Sequence, residues 1–570
     1  MRLLAKFVAT LSVALLLTAP AVDAASAKPR RENAVAARAL DAGAVASPDR
    51  YGAVAAQEIL KAGGNAVDAA VATGFALAVT YPEAGNLGGG GFMTVYMDGK
   101  PYFLDYRETA PAAATADMYL GPDGEPVAGL SLFGNLAVGT PGTVRGLAMA
   151  HKRFGKLPWA RVLAPAIRYA RDGFVVNEQF AGMLSREVPE PFQKTNFRAY
   201  FAPAKVGSLF RQPELAATLE RIAKNGDKAF YEGETADLIV AQMARGEKKG
   251  LITKADLAGY KAVWRAPVTA KWRGYDVITA PPPSSGGIAL MQMLLMKQDA
   301  APLFKGQTLN GAPYVHLVSE IEKRVFADRA EYLGDPDFVK VPVSNLIDPA
   351  YVARRAKEID PEKPSATQAV SPGLEKLETT HYSIVDKWGN AVSNTYTLNG
   401  WFGSGVVVEG AGFLLNDEMD DFSAKPGAPN MFGVVGGSAN AIGPGKRPLS
   451  SMTPTILTKD GRVAMVIGTP GGSTIFTSVF QVLADVYDFN LSLKDAQKQA
   501  RFHHQLLPEN TIFVEKFAPP AAEVKGALEA KGYKLVEHSR IGDIAAIQVL
   551  GRTPVPEADP RARGVGMVVK

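Results

Sequence analysis

The sequence predicts a mixed α+β protein, and three observations carry that prediction. Hairpin signals stand at two distant places, Phe92 to Arg107 around Asp98-Gly99 and His381 to Asn399 around Asp386-Lys387-Trp388-Gly389-Asn390. Capped helical patterns precede and separate them. A short apolar strand at Val463 to Ile467 passes through Gly471-Gly472-Ser473 into a helix at Thr474 to Val486.

At the N-terminus, Arg2 and Lys6 make a basic segment and Phe7 to Ala19 an apolar one. Val22-Asp23-Ala24 and Ala25-Ser26-Ala27 are two cleavage sites with small residues at the key positions. This is the pattern of an export signal, expected over residues 1–24, with the mature protein in the periplasm or the medium. An apolar run of about 13 residues is too short for a bilayer core. No later stretch reaches the roughly 18 uncharged apolar residues a span needs, so no membrane anchor is expected once the signal is removed.

A composition of 47% hydrophobic and 21% charged residues is that of a globular chain. A formal charge of +5 is small for 570 residues and no Lys/Arg block stands out, so nucleic acid is not an expected partner. Cysteine is absent, which excludes thiol nucleophiles and thiolate metal sites. Of the six histidines only His503-His504 are close in sequence, and adjacent side chains diverge too far to chelate. Neither a metal nor a cofactor is expected.

Ser47-Pro48-Asp49 opens a helix with a cap residue followed by proline at its first position, and Gly63-Gly64 closes it. An alanine-rich helix follows from Asn65 to Val79. The run Asn86 to Gly91 lacks the lysine and serine of a phosphate loop, and its glycines suit close backbone packing or a sharp turn. Arg107 ends the second strand of the first hairpin, on the face shared with Phe103 and Asp105. Read from the residues alone, it could equally be a surface arginine.

Residues 140–275 are mostly helical in pattern and read as scaffold. Pro281 to Gly287 is a rigid turn into an apolar helix at Ile288 to Met296; its two serines lack an evident histidine base and read as structural. Ala327-Asp328-Arg329 and Asp335-Pro336-Asp337 carry no obvious chemistry. Pro361 to Lys376 is proline- and charge-rich, as surface linkers are.

In the second hairpin, pairing Val385 with Ala391 places Thr397 opposite Thr379. Thr395, Thr397 and Asn399 then share one face. An internal threonine hydroxyl is a weak nucleophile. If the Glu378–Thr379 bond is cut, however, Thr379 gains an α-amine with a pKa of roughly 7.7–8, able to act as its base. β propensity alone also allows a threonine-rich surface hairpin here. Ala424 to Pro448, rich in glycine and proline, is a long loop of the kind that forms lids. The N–H groups of Gly471-Gly472-Ser473 suit an anion or an oxyanion at a helix start, or form a plain capped turn.

Five ordered motifs settle between these alternatives. Glu378-Thr379-Thr380-His381-Tyr382-Ser383, Thr395 to Asn399, Asn416 to Ser423, Arg447 to Pro454 and Gly468 to Ser473 resemble the γ-glutamyltranspeptidase family. The resemblance runs in order from about residue 35 to the C-terminus. It implies an N-terminal-nucleophile hydrolase fold, a four-layer αββα sandwich cut by its own chemistry at Glu378–Thr379. The products would be a large subunit, residues 25–378, and a small one, residues 379–570, which stay together as a heterodimer.

The implied reaction is γ-glutamyl transfer from glutathione or another γ-glutamyl amide to water, an amino acid or a dipeptide. Thr379 would be the nucleophile, Thr397 would orient it, and Gly471 and Gly472 would stabilise the oxyanion. Arg107, Ser450 and Ser451 would take the α-carboxylate, as a guanidinium fork suits. Asn399, Glu418 and Asp421 would take the α-ammonium. Many bacterial relatives have glutamine where Glu418 stands; a second carboxylate should strengthen ammonium binding unless crowding raises a pKa. Phe432 stands where the family often closes its pocket with a tyrosine. Two alternatives remain at this point: a cephalosporin or glutaryl acylase of the same fold, and a non-catalytic exported binder of amino acids or peptides.

Overall fold

The computed structural model describes residues 38–570 except 187, 367–378, 429 and 432–435. The export signal, the cleavage residue Glu378 and the lid residue Phe432 therefore lie outside the described residues.

β1 (Gly43–Ser47) turns into α1 (Arg50–Lys61) and α2 (Ala66–Thr80). The cap of α1 is Asp49 rather than Ser47. Asp49 Oδ1 accepts from the Tyr51 and Gly52 N–H groups, while Ser47 is held in the sheet opposite Val565. Asn65 and Asp68 close a capping box on α2, which is buried all round. Alanine and glycine at seven of its positions keep that helix thin enough to lie flat on a sheet.

β2 (Gly90–Met97) and β3 (Lys100–Asp105) meet at Asp98 and Gly99, with φ of 52° and 77°, the geometry of a tight hairpin turn. The glycine run ahead of β2 is there for close approach: a Cβ on Gly89 would lie 2.0 Å from the Thr397 carbonyl oxygen. Residues 143–259 are mostly helical and pack beside α1 and α2 in one hydrophobic cluster. Then come β4 (Val263–Arg265), β5 (Val268–Trp272), β6 (Tyr275–Thr279), α3 (Gly286–Asp299) and α4 (Ala312–Tyr332).

β7 (Thr380–Val385) and β8 (Ala391–Thr397) form the second hairpin, with Val385 opposite Ala391 as the turn predicts. Asp386 holds that turn by accepting from the Trp388 and Asn390 N–H groups and from Ala66 N at the start of α2. The remaining elements are β9 (Thr455–Lys459), β10 (Arg462–Gly468), α5 (Thr474–Tyr487), β11 (Ala545–Leu550), β12 (Thr553–Ala558) and β13 (Val565–Val569).

Two antiparallel sheets result. One runs β13-β1-β7-β8-β2-β3-β4, the other β12-β11-β10-β9-β6-β5. Strand alternation separates two kinds of contact on β7 and β8. Tyr382 and Tyr396 point to the helices, donating to the Ala70 and Gly74 carbonyls of α2 at 2.8 and 2.9 Å. Ser383 and Ser393 point to the other sheet, donating to the Ala545 and Ile467 carbonyls at 2.8 and 3.0 Å. Small hydroxyl side chains let the sheets stack while satisfying polar groups between them. α3 and α5 cover the far face of the second sheet, and α4 packs on α3. The order of layers is α, β, β, α.

Both sheets mix strands from either side of residue 379. β1–β4 join β7, β8 and β13 in the first, and β5 and β6 join β9–β12 in the second. Among the described residues no helix is long and apolar enough to cross a membrane.

Candidate active site

Thr379 immediately precedes β7. The ladder runs to Tyr396 opposite Thr380, so one step further sets Thr397 beside Thr379. Both line one polar pocket, and both are nearly fully buried. The Thr397 hydroxyl accepts from the Asn399 N–H at 2.8 Å. Asn399 itself sits at φ 77°, a left-handed conformation that asparagine tolerates, and this bends the chain across the pocket. Thr395 shares the face but not the pocket: its hydroxyl lies 2.8 Å from His381 Nδ1. Burial pushes the His381 ring down to about 3, so it is neutral.

Arg107, predicted on a strand end, is fully buried and reaches the same pocket. Its Nε donates to the Pro448 carbonyl at 3.2 Å, and its two terminal nitrogens pair with Glu418 and Asp421. The three residues that sequence reasoning divides between an anion and a cation are thus joined to one another. Burial would lower the Arg107 pKa, but Glu418, Asp421 and Glu108 together hold it above its ordinary value.

Burial is also the first cause of raised pKa values at Glu418 and Asp421, with Arg107 opposing it in both. At Glu418 the nearby Glu108, Asp421 and Asp417 push the same way. The crowding exception to tighter ammonium binding therefore applies. Burial likewise raises Glu108 to about 7 and Asp420 to about 6. Three carboxyl groups share the Arg107 guanidinium, and burial with mutual repulsion shifts them toward their protonated forms.

Ser450 and Ser451 line the opposite wall. They are stapled to the turn before α3: Ser450 N donates to the Pro283 carbonyl at 2.9 Å, and Ser285 N and Oγ both donate to the Ser450 carbonyl at 2.7 Å. The serines of that turn are structural, as read from the sequence. Of the two glycines between β10 and α5, Gly472 lines the pocket and Gly471 directly precedes it. Their φ values of 52° and 144° suit glycine, and neither N–H donates to a described group. Ser473, next along, lies 3.2 Å from Nε2 of the buried His503. Among the described residues no cluster of three or more histidines and carboxylates could hold a metal ion.

Sequence reasoning missed Arg329, Asn430, Met452 and Ile475, which also line the pocket. Arg329 stood within a motif without evident chemistry. No signal in the sequence singles it out, because the same helix carries several other charged residues.

The family model described as Gamma-glutamyltranspeptidase matches residues 52–569. The chain belongs to the γ-glutamyltranspeptidase family. Within that family it is 62% identical to a protein named Glutathione hydrolase proenzyme from Pseudomonas aeruginosa, over 94% of this chain and 96% of the relative. Among solved structures, the γ-glutamyltranspeptidase of Pseudomonas nitroreducens complexed with L-DON is 60% identical. It covers 57% of this chain and 97% of its own at a TM-score of 0.56. A cephalosporin acylase from Bacillus halodurans is 28% identical, covering 93% of this chain and 96% of its own at a TM-score of 0.77. The four-layer fold is common to both branches, so the fold does not choose between them.

Proposed function

We propose that this member of the γ-glutamyltranspeptidase family is a glutathione hydrolase and γ-glutamyltransferase, formed by cleavage of its own chain at Glu378–Thr379. The observation that carries the reading is the pairing of Arg107 with Glu418 and Asp421 in the pocket that also holds Thr379. A zwitterionic α-amino-acid head exchanges partners there without leaving a buried charge alone. Its carboxylate takes the guanidinium while its ammonium takes the carboxylates. A glutaryl head would take the guanidinium and strand both acids.

Thr379, freed at its amine, attacks the γ-carbonyl, and its own α-amine takes the hydroxyl proton. Thr397 orients that hydroxyl, and Gly472 with Gly471 donates N–H groups to the oxyanion. The α-carboxylate is held by Arg107, Ser450 and Ser451, and the α-ammonium by Asn399, Glu418 and Asp421. Proton return to the amide nitrogen releases the leaving amine. Water or an acceptor amine then resolves the γ-glutamyl ester. Phe432 is the proposed lid ring.

Large (25–378) and small (379–570) subunits remain one heterodimer in this reading. The mixing of their strands in both sheets supports this, since such an interface is a domain core shared between chains. A solved relative whose chain is 97% matched by only 57% of this one supports the division. Removal of residues 1–24 and export complete the proposal.

The test is a direct comparison of a γ-glutamyl anilide with a glutaryl anilide, with and without glycylglycine. The expected result is turnover of the γ-glutamyl donor, faster with the dipeptide, and little of the glutaryl donor. Preference for the glutaryl donor would favour the acylase; no turnover of either would leave a binder.

Arg107→Lys keeps a charge but cannot hold Pro448, Glu418 and Asp421 together, nor offer a fork to a carboxylate. With each lost charge-assisted bond worth about 1.5–3 kcal/mol, kcat/KM for a γ-glutamyl anilide falls by roughly tenfold or more. Steady-state kinetics checks this, and an unchanged constant would remove Arg107 from donor binding.

A further inference from the structure

The pocket holds a second guanidinium that the family-based reading leaves without a role. Arg329, near the end of α4, is 7% exposed and lines the pocket beside Ser450 and Ser451. Unlike Arg107 it forms no ion pair among the described residues. Its Nε donates to Ser285 Oγ at 3.0 Å, and one terminal nitrogen lies 3.5 Å from Ser451 Oγ. The other terminal nitrogen has no hydrogen-bond partner among the described residues.

A buried, permanently charged side chain without a counter-ion is costly, and a ligand anion at that spot removes the cost. The electrostatics agree with the geometry. Burial lowers the Arg329 pKa to about 10, and the nearby Asp421 only partly opposes that.

The arrangement also orders the serines. Ser285, holding the Arg329 Nε, donates its own hydroxyl proton to the Ser450 carbonyl. A hydroxyl that receives the Arg329 N–H in this way has its proton directed away from the guanidinium. Ser451 Oγ receives the same guanidinium at 3.5 Å, which leaves its proton to be donated elsewhere.

We infer that Arg329 is a positioning and specificity residue for the donor's α-carboxylate, orienting the Ser451 hydroxyl and supplying the positive potential that Arg107 spends on Glu418 and Asp421. This deepens, and rests on, the γ-glutamyl reading above. It makes the carboxylate subsite two-sided, with one guanidinium in exchange with the acids and the other without a direct ion pair among the described residues. The pocket is thereby selective for donors that carry a carboxylate on the α-carbon over those that carry the amine alone.

The experiment compares two anilides that differ only there: L-γ-glutamyl anilide, and its 4-aminobutyryl analogue, which keeps the amine and lacks the carboxylate. The second is measured as a substrate or as a competitive inhibitor. For Arg329→Gln, the expected result is a KM for the γ-glutamyl donor raised by about tenfold or more, with kcat changed by less than about threefold. The constant for the 4-aminobutyryl analogue stays the same or improves. Arg329→Lys restores much of the γ-glutamyl KM, since a charge returns without the fork.

If Arg329→Gln does not fold into the cut, two-chain form, the lysine variant carries the test. Its KM then rises for the carboxylate-bearing donor alone. Equal effects on both donors, or a fall in kcat with KM unchanged, would overturn the assignment of Arg329 while leaving the γ-glutamyl reading intact. Failure of the unsubstituted enzyme to turn over the γ-glutamyl anilide would overturn both.

Discussion

Thr379→Ala is expected to leave one uncut chain and no γ-glutamyl turnover. The proposed nucleophile serves twice: its hydroxyl first attacks the carbonyl of residue 378, and after the resulting ester is hydrolysed it attacks the donor. Alanine abolishes both. The loss of turnover should be on the order of 10⁶-fold, the scale seen when a nucleophile that acts together with its base is removed. Thr379→Ser keeps a hydroxyl without the methyl group that restricts its rotation, so it should still cut, more slowly. The alanine change removes only the hydroxyl and one methyl group from a residue just ahead of β7, so the fold is expected to hold. Intact-mass measurement distinguishes the outcomes. Two fragments from the alanine variant would mean that another protease makes the cut, and the self-cleavage mechanism would fall.

How much of this site was visible in the sequence depends on what had to be read. The β7–β8 register was legible because a five-residue turn beginning with Asp386 and containing Gly389 leaves little freedom, and Val385 does face Ala391. From that single pairing the approach of Thr397 to Thr379 follows. The turn before α5 was legible from two glycines whose positive φ values few other residues accept. The α1 cap was misplaced by two residues because Ser47 is claimed by the sheet, a tertiary contact that local preference does not contain.

The charges were legible as residues but not as partners. Arg107 and Glu418 are 311 positions apart, and nothing local says that they pair. Arg329 was hidden for a different reason. α4 also carries Glu320, Glu322, Lys323, Arg324 and Asp328, so charge alone does not tell which of its residues reaches the pocket.

The pairing of Arg107 with two acids makes Asp421 the residue that best separates a transpeptidase from an acylase. Asp421→Asn changes charge at nearly constant volume, and its remaining carbonyl oxygen can still accept from the Asn430 amide, which lies 3.1 Å from Asp421 Oδ1. The Asn440 amide donates to the main-chain carbonyl of residue 421 and is unaffected. For a γ-glutamyl donor the change removes a charge-assisted bond to the α-ammonium, worth about 1.5–3 kcal/mol, so kcat/KM falls roughly ten- to a hundredfold. For a glutaryl donor the balance is reversed. Its carboxylate competes with Asp421 for Arg107, and it brings no cation to the displaced acid. Removing that acid's charge lightens the competition, so glutaryl turnover holds or rises. Opposite signs on two donors cannot come from a general folding defect, which would depress both. Equal losses on the two anilides would detach Asp421 from the α-amine and leave its bond to Arg107 as purely structural.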